Sequence, residues 1–133
     1  MNKERHMNIS LLNPVVLAEN YEKLIDWYVK TFDLNIQSQT QEGESYTELE
    51  HSGKLVVGIA KAEEMGVKAP VPRNNSVIIQ LAVSDINSLF DTVRKNGGRI
   101  LFGPSLDEKG GYVYGGCADI EGNQIWIVEK KED

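Results

Sequence analysis

Apolar and polar positions follow one programme along this chain, and the programme runs twice. The first pass opens with an apolar run over residues 9–17 that reads as a strand, closed by Ala18-Glu19-Asn20. The Asn20 side chain can accept a bond from an otherwise orphaned backbone N–H, so a helix is expected to begin there. Tyr21, Leu24, Ile25, Tyr28 and Phe32 then recur at helical spacing and predict one apolar stripe. Glu19–Lys23 and Asp26–Lys30 set an acid four residues before a base, which suits the solvated side of that helix. Three strands are predicted next, over 34–40, 45–50 and 54–60, with turns at Glu42-Gly43-Glu44 and His51-Ser52-Gly53.

The second pass repeats the order. Residues 77–83 read as a strand, Ser84-Asp85 as a helix cap, and Ile86, Leu89, Phe90 and Val93 as the stripe. Asn96-Gly97-Gly98 ends the helix, because glycine tolerates the left-handed backbone of a C-terminal cap. Strands are predicted over 99–102, 112–117 and 124–128. Residues 61–75 lie between the two passes, and Pro70 and Pro72 make them a linker or a lid. The expected fold is therefore α+β, one domain over 1–133 with two βαβββ modules, about 9–60 and about 76–129. Each small sheet has a helix on one face only. Side by side, the modules form a curved mixed sheet with the helices outside and a cleft inside, and such concavities are favoured ligand sites.

Composition narrows the partners. Fourteen Lys and Arg against twenty Asp and Glu give a net charge of −6, which offers no basic surface for nucleic acid. No run approaches the roughly 20 apolar residues that span a bilayer, and the charged start of the chain has no signal-peptide core after it. A cytoplasmic protein with no membrane partner is expected. One cysteine, Cys117, excludes an internal disulfide and a cysteine zinc knuckle. With no base nearby in sequence it reads as a buried, inert thiol. Arg73 reads as a solvated loop arginine. Gly110-Gly111 and Gly115-Gly116 form no phosphate loop, since no helix start or Lys-Ser/Thr follows them.

Three segments carry a resemblance. Residues 20–34 with Trp27-Tyr28 and Phe32-Asp33-Leu34, the stretch Val83-Ser84-Asp85-Ile86, and residues 115–126 with Asp119-Ile120-Glu121-Gly122-Asn123 occur in the order seen in the vicinal oxygen chelate superfamily. That group includes glyoxalase, bleomycin-resistance proteins and extradiol dioxygenases. The closing segment usually reads Asp-Pro-Asp-Gly-Asn; here Ile120 and Glu121 replace the proline and the second aspartate.

The resemblance implies a metal held by one His or Glu from each of four inward-facing strands. Counting seven residues back from the helix caps gives Asn13 and Ile78, and four residues on from Gly122 gives Trp126. The same offset from Gly53 gives Val57. Divalent ions in such sites need imidazole nitrogen or carboxylate oxygen, which these four positions lack. The only histidines, His6 and His51, match none of them, and His51 with Glu48 and Glu50 reads as solvated turn charge. No metal and no cofactor are expected.

Taking the matched positions as inward and alternating along each strand, Asn13, Val15, Val57, Ile59, Ile78, Gln80, Gln124, Trp126 and Val128 would face the cleft. Val16, Val56, Ile79, Leu81, Val83, Ile125 and Ile127 would face the helices. The cleft so defined is apolar with three amide points. Trp126 either stacks on a planar or cationic ligand or fills the space of the missing ion. Tyr46, Tyr112 and Tyr114 are candidates for further aromatic wall. The first functional reading is a metal-free protein that binds a small planar or apolar molecule. It resembles the bleomycin-resistance branch, whose members pair as homodimers around shared grooves. The alternatives are a glyoxalase-like lyase or isomerase, or an extradiol-dioxygenase-like enzyme, with a non-standard site and no assigned catalytic residue. A regulatory module with a vestigial cleft is a third class, because a fold does not fix function.

Overall fold

A computed structural model describes residues 8–40, 43, 45–65 and 77–130. His6, Glu42, Glu44, Arg73 and most of the expected 61–75 linker lie outside the described residues. The first module comprises β1 (Val15–Ala18), α1 (Tyr21–Phe32), β2 (Asn35–Gln39), β3 (Tyr46–His51) and β4 (Lys54–Lys61), followed by a 3-10 turn at Glu63–Met65. The second comprises β5 (Ile79–Val83), α2 (Ile86–Lys95), β6 (Arg99–Asp107), β7 (Tyr112–Ala118) and β8 (Gln124–Glu129). The strands form two four-stranded mixed sheets, ordered β1-β4-β3-β2 and β5-β8-β7-β6. In each, the first strand runs parallel to the last and the other pairings are antiparallel. The fold is α+β with a duplicated βαβββ plan.

Both helices start where their caps predict. Asn20 Oδ1 accepts from the Lys23 N–H, and Asp85 accepts from both the backbone N–H and the hydroxyl of Ser88. Helix α1 ends on Asp33 in the left-handed conformation (φ 55°), a position more often given to glycine. Two strands differ from the sequence reading by more than two residues at one end. β1 begins only at Val15, because Pro14 has no N–H to extend the ladder; its carbonyl accepts from Gly58 N at 2.9 Å and pairing starts there. Ile9, Leu11 and Leu12 before it are at least 80% exposed. β6 runs on to Asp107, past the expected end at Phe102, by passing an irregularity at Gly103-Pro104.

One core joins the modules. Leu24, Ile25 and Tyr28 of α1 and Ile86, Phe90 and Val93 of α2 are buried in the same cluster as Ile125 and Ile127. Trp27, outside the expected stripe, is buried too. Its ring lies where a side chain on Gly98 would intrude, and it meets Tyr28 and Phe32 edge to face at 5.2 and 5.6 Å. The buried side of α1 is thus wider than a stripe facing a single sheet, because the second module covers it.

Polar contacts fasten the same seam. The Tyr28 hydroxyl donates to Asp119 Oδ2 at 2.7 Å, and Asn96 donates to the Thr31 hydroxyl at 3.1 Å. The two oxygens of Glu121 accept from the backbone N–H groups of Glu19 and Asn20, both at 2.9 Å, at the start of α1. A carboxylate there satisfies orphaned donors and complements the helix dipole. The Asp119–Asn123 turn therefore anchors the first module as well as linking β7 to β8.

Candidate functional site

Strand register decides which side chains share a face. In the second sheet Gln80 pairs with Trp126, Trp126 with Gly116, and Tyr114 with Val128. Their neighbours Ile79, Ile125 and Cys117 occupy the opposite face, where Ile125 and Cys117 are fully buried against the helices. The helix-free face of this sheet carries Gln80, Gln124, Trp126 and Val128, together with Tyr112, Tyr114 and Phe102.

These side chains build a cavity of about 480 Å³, lined by Gln80, Phe102, Tyr112, Tyr114, Trp126 and Val128 with parts of Gly115 and Ile127. Four rings stand in a row. Tyr112 and Tyr114 have centroids 6.0 Å apart, Tyr114 and Phe102 6.4 Å, and Phe102 meets Trp126 edge to face at 6.0 Å. Each ring is roughly two-fifths exposed, so the row is supported from behind and open in front. Gly116 makes this possible: a Cβ there would collide with the Phe102 ring. Trp126 is oriented through its indole N–H, which donates to Gln124 Oε1 at 3.4 Å. Asp107 lies opposite Tyr112 in the β6–β7 pairing, and its carboxylate raises the phenol above its ordinary pKa.

The first sheet presents a different surface. Val16 pairs with Ile59, Ile59 with Thr47 and Val57 with Leu49, so all five share a face. Thr47 hydrogen-bonds Tyr21 of α1, which identifies that face as the helix side. Val57 and Ile59, expected in the cleft, are instead in the core at 1% and 0% exposure. The cause is loop length. β3 and β4 are joined by only Ser52 and Gly53, whereas five residues join β7 to β8, so an offset counted from the turn glycine slips by one. A one-residue slip exchanges the faces of a strand.

Counted from the strand pairing, the first-module counterpart of Trp126 is Gly58. Gly58 pairs with Val15 as Trp126 pairs with Gln80, and Val15 and Gln80 sit at equal distances before their helices. Tyr46 lies over Gly58, and Asn13 Nδ2 donates to the Tyr46 hydroxyl at 3.2 Å. Val15 is exposed on the same face, and Ile78 is half-buried just before β5. The structure thus puts Gln80 and Trp126 in the cavity wall, leaves Gln124 outside the lining but bonded to Trp126, and places Asn13 and Val15 on the other module.

Phe102 is the cavity residue that sequence reasoning missed. The Gly103-Pro104 pair reads as a strand terminator, yet β6 passes through it. A second cavity of similar volume lies at the module seam, bordered by Phe32, Leu34, His51, Val56, Leu81 and Leu89. The His51 ring there lies 3.3 Å from the Asp33 carbonyl oxygen.

Among the described residues no group of three or more His, Cys, Asp or Glu side chains could hold a metal ion. The four positions at which relatives would place ligands carry Asn13, Gly58, Ile78 and Trp126. None supplies imidazole or carboxylate, so these residues do not fit the ion that the family implies. Burial, followed by the nearby Asp119 charge, pushes the Cys117 thiol up to about 12, far from a reactive thiolate.

A protein built on this duplicated plan, with an open sheet face in each module, has many structural relatives. The chain belongs to the Glyoxalase/Bleomycin resistance protein/Dioxygenase superfamily, whose family profile matches residues 10–127. It is similar in fold to a hypothetical protein from S. aureus, at TM-score 0.75 and 16% identity over 96% of this chain and 98% of that one. A member of the same superfamily from Sphaerobacter thermophilus DSM 20745 gives TM-score 0.74 at 21% identity, covering 94% and 100%. A glyoxalase-related enzyme from Fulvimarina pelagi gives 0.69 at 17%, covering 91% and 88%. No curated protein sequence matches the chain. Among the described residues no helix is long and apolar enough to cross a membrane.

Proposed function

We propose that this protein binds a small planar or apolar molecule against the helix-free face of its second module, without a resident metal, in the manner of the bleomycin-resistance branch. The observation that carries the reading is the row of four half-exposed rings around the cavity, with Trp126 standing at a position where relatives place a ligand to the ion. Aromatic walls favour flat ligands by offset and edge contacts, each worth about 0.5–1.5 kcal/mol beyond area burial. Gln80 adds one uncharged hydrogen-bonding point, as is usual where orientation is set by few polar groups. The partner proposed for the exposed Ile9, Leu11 and Leu12 is a second copy of the chain, since contiguous exposed apolar surface marks interaction sites.

The test is titration with a panel of flat aromatic compounds, followed by Trp126 fluorescence and ring-proton NMR. Trp27 is buried and serves as the internal reference. Ligands should perturb Trp126 selectively, and Trp126→Ala should weaken binding at least about tenfold, the loss of one or two ring contacts. Unchanged affinity in that variant overturns the reading. Sedimentation at several concentrations tests the dimer, and a strict monomer removes that part.

A further inference from the structure

We infer that the ring-lined cavity selects ligands that carry a delocalised or quaternary organic cation over neutral molecules of the same shape. The inference rests on the binding reading above and adds the charge of the ligand to it.

Three observations support it. First, the lining contains four aromatic rings and no Lys, Arg or His, so nothing within the wall repels a cation. Ring faces carry negative quadrupolar potential, and several rings turned to one space form a cage for a cation. The Phe102–Trp126 pair is nearly perpendicular at 86°, and the Tyr pairings are tilted by 54° and 58°. No pair is stacked face to face, so at most one ring face in each pair is covered by its neighbour. Second, the row ends on an anion. Asp107 stands directly across the β6–β7 pairing from Tyr112, and its carboxylate accepts from the backbone N–H groups of Lys109 and Gly110 at 3.0 Å each. A carboxylate beside that ring adds its own attraction for a cation at the end of the row. Third, Asp107 is not neutralised locally. The next residues, Glu108 and Lys109, cancel each other, and no salt bridge to Asp107 is present among the described residues. The whole chain carries a net charge of −6, which raises the local concentration of cations in the same sense.

The geometry favours a flat or compact cation over an ammonium such as lysine's. A strongly hydrated ammonium needs several hydrogen-bond acceptors in the wall, and the lining side chains offer only the Gln80 amide and two phenol oxygens. A quaternary or ring-delocalised charge needs none.

The experiment compares N-methylquinolinium with quinoline at pH 8, where the second is neutral and of nearly the same shape. Binding to the full chain is measured by calorimetry and by NMR of the ring protons of the probe. The expected result is about tenfold tighter binding of the cation at low salt, the scale of a partly desolvated cation–π contact, with the difference shrinking as salt is added. Asp107→Asn, which keeps an acceptor for Lys109 and Gly110, should weaken the cation several-fold and leave quinoline unchanged. Tyr112→Phe, which keeps the ring but removes the hydroxyl beside Asp107, should have a smaller effect in the same direction. Equal affinity for the two probes overturns the charge selection and leaves the aromatic-ligand reading standing. Binding of neither probe, with no perturbation of Trp126, overturns both.

Discussion

Replacing Tyr28 with phenylalanine removes one oxygen from the centre of the molecule and tests how the modules are held together. Asp119 is 3% exposed and its two oxygens accept four hydrogen bonds: from Tyr28, from the backbone of Glu121 and Asn123, and from the Asn123 amide. The phenol is the only one of these donors that comes from the first module. A hydrogen bond to a charged group contributes about 1.5–3 kcal/mol, and burial leaves no solvent to replace it. For a domain of this size each kcal/mol moves the melting temperature by about 3–5 °C, so Tyr28→Phe should melt about 5–15 °C lower. Denaturant titration and calorimetry measure the loss, and near-ultraviolet circular dichroism checks that the core remains native. A cycle with Asp119→Asn isolates the coupling. The alkaline limb gives an independent reading. Burial first, then the Asp119 charge, holds the Tyr28 phenol well above its ordinary value in the folded state. Its contribution is complete below the unfolded phenol value, about pH 10, and is lost as pH rises through the higher folded value. The variant lacks this titration, so its stability should fall less steeply above pH 10. A loss under about 0.5 kcal/mol, with no coupling to Asp119, would refute the proposed linkage between the modules.

Two further predictions concern faces and reactivity. Ile59→Ala should cost about 2–5 kcal/mol, the range for emptying a buried aliphatic site, whereas Val15→Ala on the opposite face should stay within about 0.5 kcal/mol; equal effects in denaturant titrations would contradict the assigned faces. The Cys117 thiol should resist disulfide reagents at pH 8 until the protein unfolds, because burial keeps it protonated up to about pH 12. Rapid stoichiometric labelling of the native chain would show that it is more accessible than its burial implies.

The duplicated plan was legible because its signals are local. Asn20 and Asp85 cap their helices as their side chains suggest, and the alternation in β5 and β8 sorts Ile79, Ile125 and Ile127 from Gln80 and Trp126 correctly. Trp27 was not legible. Its burial comes from Gly98, 71 residues further along, and no period within α1 announces a second neighbour. The ends of β1 and β6 failed for opposite reasons. Pro14 stops a ladder that the apolar run alone would continue, and Gly103-Pro104 interrupts β6 without ending it.

The site was half legible, and the missing half follows from counting along the chain instead of across the sheet. Turn length is free to vary between modules, while strand register is fixed by the requirement that one face be buried. Offsets from Gly122 and Gly53 therefore disagree by one residue, and the position opposite Val15 proves to be Gly58, not Val57. That exchange changes the chemistry of the two open faces. In the first module the absent side chain makes room for Tyr46, held by Asn13, and the surface is a polar pair beside Val15. In the second, the glycine has moved to β7, where Gly116 admits Phe102 beside Trp126, and the surface is a run of rings. Modules with the same fold thus carry unequal binding surfaces, and most of the ligand affinity should lie with the second.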